Sequence, residues 1–185
     1  MLLPSVSIFV DGGGNDCNGV RRYLSKFPSF HKIYVFEPNP FFHKSYEESD
    51  FILIKKAMWT SNCTLPFHIS KDERQVASSL LEDKLCKVNS EIKPYFYDEP
   101  INVECVDFSE WIKENIKPNH LLTLKLDIEG AEYDVLWKMI QDNTIKFVNQ
   151  LFVEFHQDTV VSKRETHAEL IKELKKIGIT PQYWD

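Results

Sequence analysis

The amino-acid sequence predicts an α/β fold with a mostly parallel central sheet and helices on both faces. Short apolar runs alternate along the chain with segments whose apolar residues recur at helical spacing. Polar residues and glycines follow the strongest apolar runs, as in the Asp-Gly-Gly-Gly segment at 11–14. Because parallel sheets bind ligands at the carboxyl ends of their strands, we predict a Rossmann-like sheet with a functional site at that edge.

Apolar periodicity and turn residues place the individual elements. Strands are predicted at residues 6–10, 33–36, 51–54 (extending as far as 59), 65–70, 101–106, 121–127, 148–155 and 179–184. Helices are predicted at 19–27, 107–116, 131–140 and 162–177, the second capped by Asp107 or Ser109. The last helix would bury Ala168, Ile171, Leu174 and Ile177. The polar stretch between 70 and 101 is expected to be loop-like.

Length, charge and cysteine use limit the class of protein. A chain of 185 residues suits one domain, here 1–185 with an irregular insertion around 60–106. The net charge of −6, without a block of Lys or Arg, argues against nucleic acid as a partner. The apolar runs are too short to span a membrane, and no leader pattern opens the chain. With four cysteines and no C-x-x-C pair, a cytoplasmic protein with reduced thiols is expected.

The glycine segment after the first strand is a candidate ligand loop. Gly12 and Gly13 allow a sharp turn and a close approach of ligand to backbone. A dinucleotide-binding loop has the pattern G-x-G-x-x-G, but Cys17 occupies the third glycine position. Asp11 could hold the charged amino end of an amino-acid cofactor. The alternative is a tight strand–helix turn that binds nothing.

Glu37 ends the second predicted strand and is a candidate ribose ligand. A carboxylate there can accept hydrogen bonds from both ribose hydroxyls of an adenosine, and it disfavours a 2′-phosphate. The alternative is an exposed acid at a strand end. Together with the glycine segment, Glu37 favours adenosine binding.

The segment L-K-L-D-I-E-G-A-E at 124–132 is the most specific of the chain. Lys125 lies in an otherwise apolar strand, so it needs an acidic or ligand partner, and a salt bridge to Asp127 or Glu154 would supply one. Glu132 falls in the first turn of the next helix, where we expect it only to complement the helix dipole.

These segments resemble the FkbM-type family of S-adenosylmethionine-dependent methyltransferases. The resemblance follows the family's order through F-V-D-G-G-G-N at 9–15, V-F-E-P-N-P at 35–40, K-K-A-M-W at 55–59, S-S-L at 78–80, the 124–132 segment and F-V-E-F-H at 152–156. It implies a class I methyltransferase fold and methylation of a hydroxyl oxygen, often on a carbohydrate. Cys17 stands where the family usually has glycine, so the resemblance also implies a tighter or strained loop.

The resemblance also assigns roles by motif position. The implied cofactor-binding residues are Asp11, Gly12, Gly13, Asn15, Glu37, Ala57 and Asp127. The first three would cradle the methionine part of S-adenosylmethionine, Ala57 would lie near the adenine, and Asp127 would face the reacting end. The implied substrate-side residues are Ser78, Ser79 and Glu154.

Proton removal from the acceptor needs a base, and His156 is the first candidate because it lies at a strand end beside Glu154. A histidine bonded to backbone is the alternative, and Lys125 and Glu129 are second choices. Asp127, Glu129, Glu154 and His156 could together ligate Mg²⁺, but their spacing does not require it and we do not favour a metal.

Two other functions remain open at this point. One is an NAD(P)-type oxidoreductase on the same architecture, against which Cys17 and the D-I-E-G segment speak. The other is a binding domain that keeps the fold without turnover. The expected substrate is a small molecule or glycan, and the sequence leaves the acceptor and the oligomeric state open.

Overall fold

The computed structural model describes residues 5–25, 30–88 and 91–184. Its strands are β1 (Val6–Gly12), β2 (Lys32–Phe36), β3 (Ile52–Ile54), β4 (Ala57–Trp59), β5 (Cys63–Phe67), β6 (Leu85–Val88), β7 (Glu91–Pro94), β8 (Ile101–Asp107), β9 (His120–Leu126), β10 (Val148–Val153) and β11 (Gln182–Tyr183). Its α-helices are α1 (Asn18–Leu24), α2 (Phe108–Asn115), α3 (Glu132–Gln141) and α4 (Arg164–Lys176). Short 3-10 helices span Pro40–Tyr46, Ile145–Phe147 and Val161–Lys163.

The centre of the fold is a six-stranded sheet in the order β11-β10-β9-β1-β2-β3, and all its pairs are parallel. Alternate residues of β1 face opposite sides of this sheet. Ile8 and Val10 pack with apolar side chains of α2, α3 and α4, while Phe9 packs with α1 and the 3-10 helix at Pro40–Tyr46. The predicted α/β sheet with helices on both faces is therefore confirmed.

The region around 60–106 is more regular than the sequence predicts. Residues 51–59 do not form one strand: β3 pairs with β2, whereas β4 leaves the central sheet and pairs with β8. A second sheet has the order β4-β8-β5, and the stretch expected to be loop-like contains the hairpin of β6 and β7. Polar composition does not exclude a hairpin, because an antiparallel pair can expose both its faces to water.

Several helix and strand ends differ from the predictions. The helix predicted at 19–27 ends at Leu24, and Phe27 lies outside the described residues. The strands predicted at 148–155 and 179–184 shorten to β10 and the two-residue β11. The predicted inward face of α4 is correct for Leu174 but wrong for Ala168 and Ile177. Leu170 and Leu174 are its buried residues, whereas Ala168 and Ile177 are exposed, because the pair spaced four residues apart packs on the core.

Within the described residues, no helix is both long and apolar enough to cross a membrane.

The cap of α2 gives a local stability test. The Asp107 carboxylate accepts a hydrogen bond from the Glu110 backbone N–H at 3.0 Å, as expected of an N-cap. We expect Asp107→Ala to lower the free energy of unfolding in urea by about 1 kcal/mol. Asp107→Asn keeps the accepting oxygen and should lose clearly less. Equal losses would show that the ion pair with Lys138, at 3.6 Å, matters more than the cap.

Candidate active site

One cavity of about 310 Å³ opens at the carboxyl edge of the central sheet. It is lined where four strands end, by Gly13 after β1, Glu37 after β2, Asp127 after β9 and Glu154 after β10. Other predicted site residues on its wall are Asn15, Ala57, Ser78 and Glu129. The predicted site residues that are not on that wall are Asp11, Gly12, Ser79, Lys125 and His156. Asp11 contacts Lys125, and each of the other four is next in sequence or bonded to a wall residue.

The glycine turn is held between β2 and β9. The backbone N–H groups of Gly13 and Gly14 donate to the Phe36 carbonyl at 3.0 and 3.2 Å. Gly13 has φ +76°, and a Cβ there would lie 1.9 Å from the carbonyl oxygen of Asp127. Close backbone contact between strand ends, together with the left-handed conformation, therefore requires glycine at this position.

Cys17 adopts the conformation of the glycine that it replaces. Its φ is +72° and its side chain is fully buried beside α1. A non-glycine residue in this region is strained, which agrees with the strained loop that the family resemblance implies.

The same turn allows a matched pair of glycine substitutions. A Cβ at Gly14 would lie 2.1 Å from Val35 Cγ1 and 2.4 Å from the Tyr46 hydroxyl oxygen, whereas at Gly19 in α1 the nearest atom is 4.0 Å away. We expect Gly14→Ala to destabilise the protein by at least about 1–3 kcal/mol, and Gly19→Ala to be neutral or stabilising by up to about 1 kcal/mol. Thermal unfolding of the two variants measures this, and equal midpoints would contradict the close packing of the turn.

Lys125 connects the glycine turn to the end of β9. Its Nζ lies 3.0 Å from Asp11 Oδ1 and 3.4 Å from Asp127 Oδ2, and it donates to the carbonyls of Gly12 and Gly13 at 3.3 and 2.9 Å. Burial disfavours its charge, but the two carboxylates outweigh burial and raise the pKa of Lys125. The predicted Asp127 partner is present, whereas Glu154 is replaced by Asp11. A lysine held charged in this way orders the loop and is not available as a base.

Asp11 therefore does not face the cavity. It is 1% exposed, its nearest cation is Lys125, and the glycine turn lies between it and the cavity wall. The methionine-cradling role predicted for Asp11 stays a prediction, and its contribution would be to hold Lys125 and the turn in place.

Glu37 is buried at the end of β2 and points both carboxylate oxygens at backbone donors. Oε2 accepts from the Asn15 N–H and Oε1 from the Asn39 N–H, each at 2.7 Å. Burial raises the pKa of Glu37 to about 7, although these two hydrogen bonds oppose the shift. Each oxygen keeps a further lone pair, and the side chain lines the cavity. The carboxylate is thus fixed in orientation while still able to accept from a ligand.

Behind the opposite wall lies a chain of alternating charges. His156 Nε2 is 3.2 Å from Glu129 Oε2, and its Nδ1 is 3.1 Å from Glu132 Oε1. Glu129 is also in contact with the ammonium of Lys84, which is 5% exposed. Glu132 is fully buried and accepts from the backbone N–H groups of Gly130 and His156 at 2.8 and 3.0 Å.

This arrangement changes the expectation for the proton-transfer residues. Burial opposes a charge on His156, but the hydrogen bonds to Glu129 and Glu132 raise its pKa to about 10. A histidine protonated at neutral pH can donate a proton but cannot accept one, so the geometry weighs against His156 as the base. Burial would raise the pKa of Glu129, but His156 and Lys84 lower it below its usual value, which makes Glu129 a weak base too.

Sequence reasoning missed two residues of this chain. Glu132 was expected only to complement a helix dipole, whereas it anchors the histidine, and its buried position is set by the packing of α3 on the sheet. Lys84 lies in the polar stretch before β6, and nothing in its sequence context marks it. Its position depends on the backbone pairing of Lys84 with Val160.

Asp127, Glu129 and His156 bring possible metal-ligand atoms within 4.8 Å of one another. Lys84 and His156 already contact the Glu129 carboxylate, and the hydrogen bonds of His156 to Glu129 and Glu132 favour a proton where a metal would need a lone pair. We therefore assign no metal to these side chains.

The serines of the 78–80 segment have different environments. Ser78 is on the cavity wall, where its hydroxyl donates to the Gln75 carbonyl at 2.8 Å. Ser79 is fully buried, and its hydroxyl donates to the Glu129 carbonyl at 2.8 Å. Ser79 therefore holds the Glu129 loop, which has φ +57° at that residue, and its substrate-side role stays a prediction.

The charge on His156 predicts a pH-dependent contribution to stability. Its folded pKa of about 10 lies above the ordinary 6.5, so the contribution is complete below about pH 6.5 and is lost as pH rises to about 10. We expect the free energy of unfolding to fall by a few kcal/mol more in the wild type than in His156→Gln across this window, since one pKa unit corresponds to about 1.4 kcal/mol. Surface His31→Gln is the control. Parallel curves for wild type and His156→Gln would contradict the charged histidine.

Comparison with known proteins adds one match. The family model described as "Methyltransferase FkbM domain" matches residues 11–179, from the glycine turn to the end of α4 and just beyond. No curated protein and no solved structure matches the chain at a significant level.

Proposed function

The chain belongs to the FkbM methyltransferase family, and from this premise we propose that it transfers a methyl group from S-adenosylmethionine to a hydroxyl oxygen of a sugar or glycan. The observation that carries the proposal is the convergence of four strand ends on one cavity. Gly13, Glu37, Asp127 and Glu154 meet there, at the edge where sheets of this kind bind their ligands.

The charge of the cavity supports a cationic cofactor. Among the described residues of its wall, the ionisable side chains are Glu37, Asp127, Glu129 and Glu154, and none is Lys, Arg or His. A sulfonium and an ammonium complement such a wall, whereas the diphosphate of a dinucleotide would meet repulsion. This speaks against the oxidoreductase alternative more strongly than the sequence does.

The fit of adenosine rests on the β2 side of the cavity. Glu37 presents a fixed carboxylate to the ribose, while Phe36, Ala57 and Met58 supply apolar surface beside it for a base. On the β9 side, Asp127 would lie towards the reacting end. When bound, the cofactor supplies an electrophilic methyl carbon, so the protein has to position the acceptor oxygen, exclude water and remove one proton.

The same wall supports an uncharged acceptor. A phosphorylated or carboxylated sugar would bring a negative charge against Glu154, beside which no cation lines the cavity wall. We therefore propose neutral sugar hydroxyls as acceptors. We propose neither nucleic acid nor Mg²⁺ as a partner. The phosphates of a nucleic acid would meet the same repulsion from the carboxylates as a charged sugar. From the four cysteines without a C-x-x-C pair we propose a reducing compartment such as the cytoplasm.

Two measurements test the proposal. Calorimetry should show heat with S-adenosylhomocysteine and none with NAD⁺, and tight NAD⁺ binding would reverse the assignment. Transfer of label from a methyl-labelled donor to a panel of neutral monosaccharides and glycans then tests catalysis. Cofactor binding without transfer to any member would favour a binding domain that keeps the fold without turnover.

The ribose contact predicts a specific loss of discrimination in Glu37→Gln. In the wild type, 2′-deoxy-S-adenosylhomocysteine should bind about tenfold or more weakly than S-adenosylhomocysteine, because a hydrogen bond to a charged acceptor is lost. In Glu37→Gln this ratio should shrink to within about threefold, because the carboxylate that senses the hydroxyl is gone. The ratio is insensitive to general weakening of the site. An unchanged ratio would contradict the ribose assignment, and exposed Glu47→Gln is the control.

A further inference from the structure

Methyl transfer to a sugar hydroxyl needs a proton acceptor on the cavity wall, and the wall offers four carboxylates. Glu37 is committed to two backbone N–H groups on the side of β2. Asp127 lies 3.4 Å from the buried ammonium of Lys125. Glu129 is held between Lys84 and His156. Three of the four carboxylates are therefore already engaged or neutralised.

Glu154 differs from the other three in its surroundings. It follows β10, and its backbone N–H donates to the Leu126 carbonyl at 2.9 Å, which places it beside the end of β9. Its nearest cation is His156, whose Nε2 lies 3.9 Å from Oε1, beyond hydrogen-bonding distance. The side chain is 48% exposed, so a proton taken up there can pass to water.

The surroundings of Glu154 raise its pKa above the ordinary value. Asp127 and Glu129 face it from the connection between β9 and α3, Lys125 from β9, and His156 from its own segment. Burial and the Asp127 charge raise the pKa of Glu154, while His156 and Lys125 oppose the shift. A raised carboxyl pKa brings a base closer to the pH at which it works.

We infer that Glu154 is the general base of the reaction, a role that neither the motif positions nor the family match assigns to it. The inference rests on the proposed methyl transfer. The acceptor O–H bond breaks towards the Glu154 carboxylate as the oxygen bonds to the methyl carbon. The C–S bond breaks, its electron pair stays on sulfur to give the thioether, and the proton leaves Glu154 to water.

The position of Glu154 can be tested before an acceptor is known. Sinefungin carries an amine where the donor carries its transferable methyl, so its affinity reports negative charge at that point. We expect Glu154→Gln to weaken sinefungin binding about tenfold, as for loss of a charged hydrogen bond, and S-adenosylhomocysteine binding less than about twofold. Glu169→Gln, an exposed acid of α4, should change neither. Calorimetry of the folded variants gives all the affinities.

The outcomes separate the two claims. If Glu154→Gln weakens both ligands equally, or neither, Glu154 does not face the methyl position and the inference is wrong while the proposed function stands. If the wild type binds neither ligand, the proposed function itself fails. Carbon NMR of glutamate-labelled protein provides the second readout. The resonance absent from Glu154→Gln should titrate above the ordinary glutamate pKa of about 4.3, and titration at or below that value would overturn the base role.

Discussion

The site depends on one buried ion pair, between Lys125 of β9 and Asp11 of β1. These neighbouring strands carry the glycine turn and the Asp127 loop, and both side chains are almost completely buried. Such a pair repays its desolvation only if further hydrogen bonds satisfy it, and here the carbonyls of Gly12 and Gly13 do so for the Lys125 ammonium, whereas burial raises the pKa of Asp11. Removing Lys125 would leave the Asp11 carboxylate without its cation inside the sheet, whereas removing Asp11 would leave Lys125 with Asp127 alone.

A second charge network lies behind the cavity wall formed by Glu129 and Glu154. Lys84, Glu129, His156 and Glu132 alternate in sign, so each buried charge has an opposite neighbour. This order connects three parts of the chain that are far apart in sequence: the segment before β6, the loop before α3 and the end of β10. The network neutralises Glu129 and holds His156 in place. Glu154 is therefore the cavity carboxylate that remains available for the inferred proton transfer.

The sequence by itself determined the α/β class, the parallel sheet and the residues at its carboxyl edge. These follow from short-range patterns: apolar runs predict buried strands, and the glycines at 12–14 and the acids at 37, 127 and 154 come directly after them. Parallel strands end at a common edge of the sheet. Residues that follow separate strands can therefore be predicted to lie close together without knowing how the side chains pack. Six segments taken together, of which 124–132 is the most specific, also resemble the family, and the match over residues 11–179 confirms this.

Only the tertiary structure decided which partner each charged residue has. Lys125 pairs with Asp11, which lies opposite it in the β1–β9 pairing and 114 residues away in the chain. Lys84, which contacts Glu129, lies directly before the β6–β7 hairpin, and the polar composition of this stretch does not predict that hairpin. The departure of β4 into a second sheet and part of the inward face of α4 were missed for the same reason. Residue type and spacing determine which ionisable groups lie at the sheet edge. Their protonation depends on burial and on the sign of the nearest charge, and both of these are set by three-dimensional contacts.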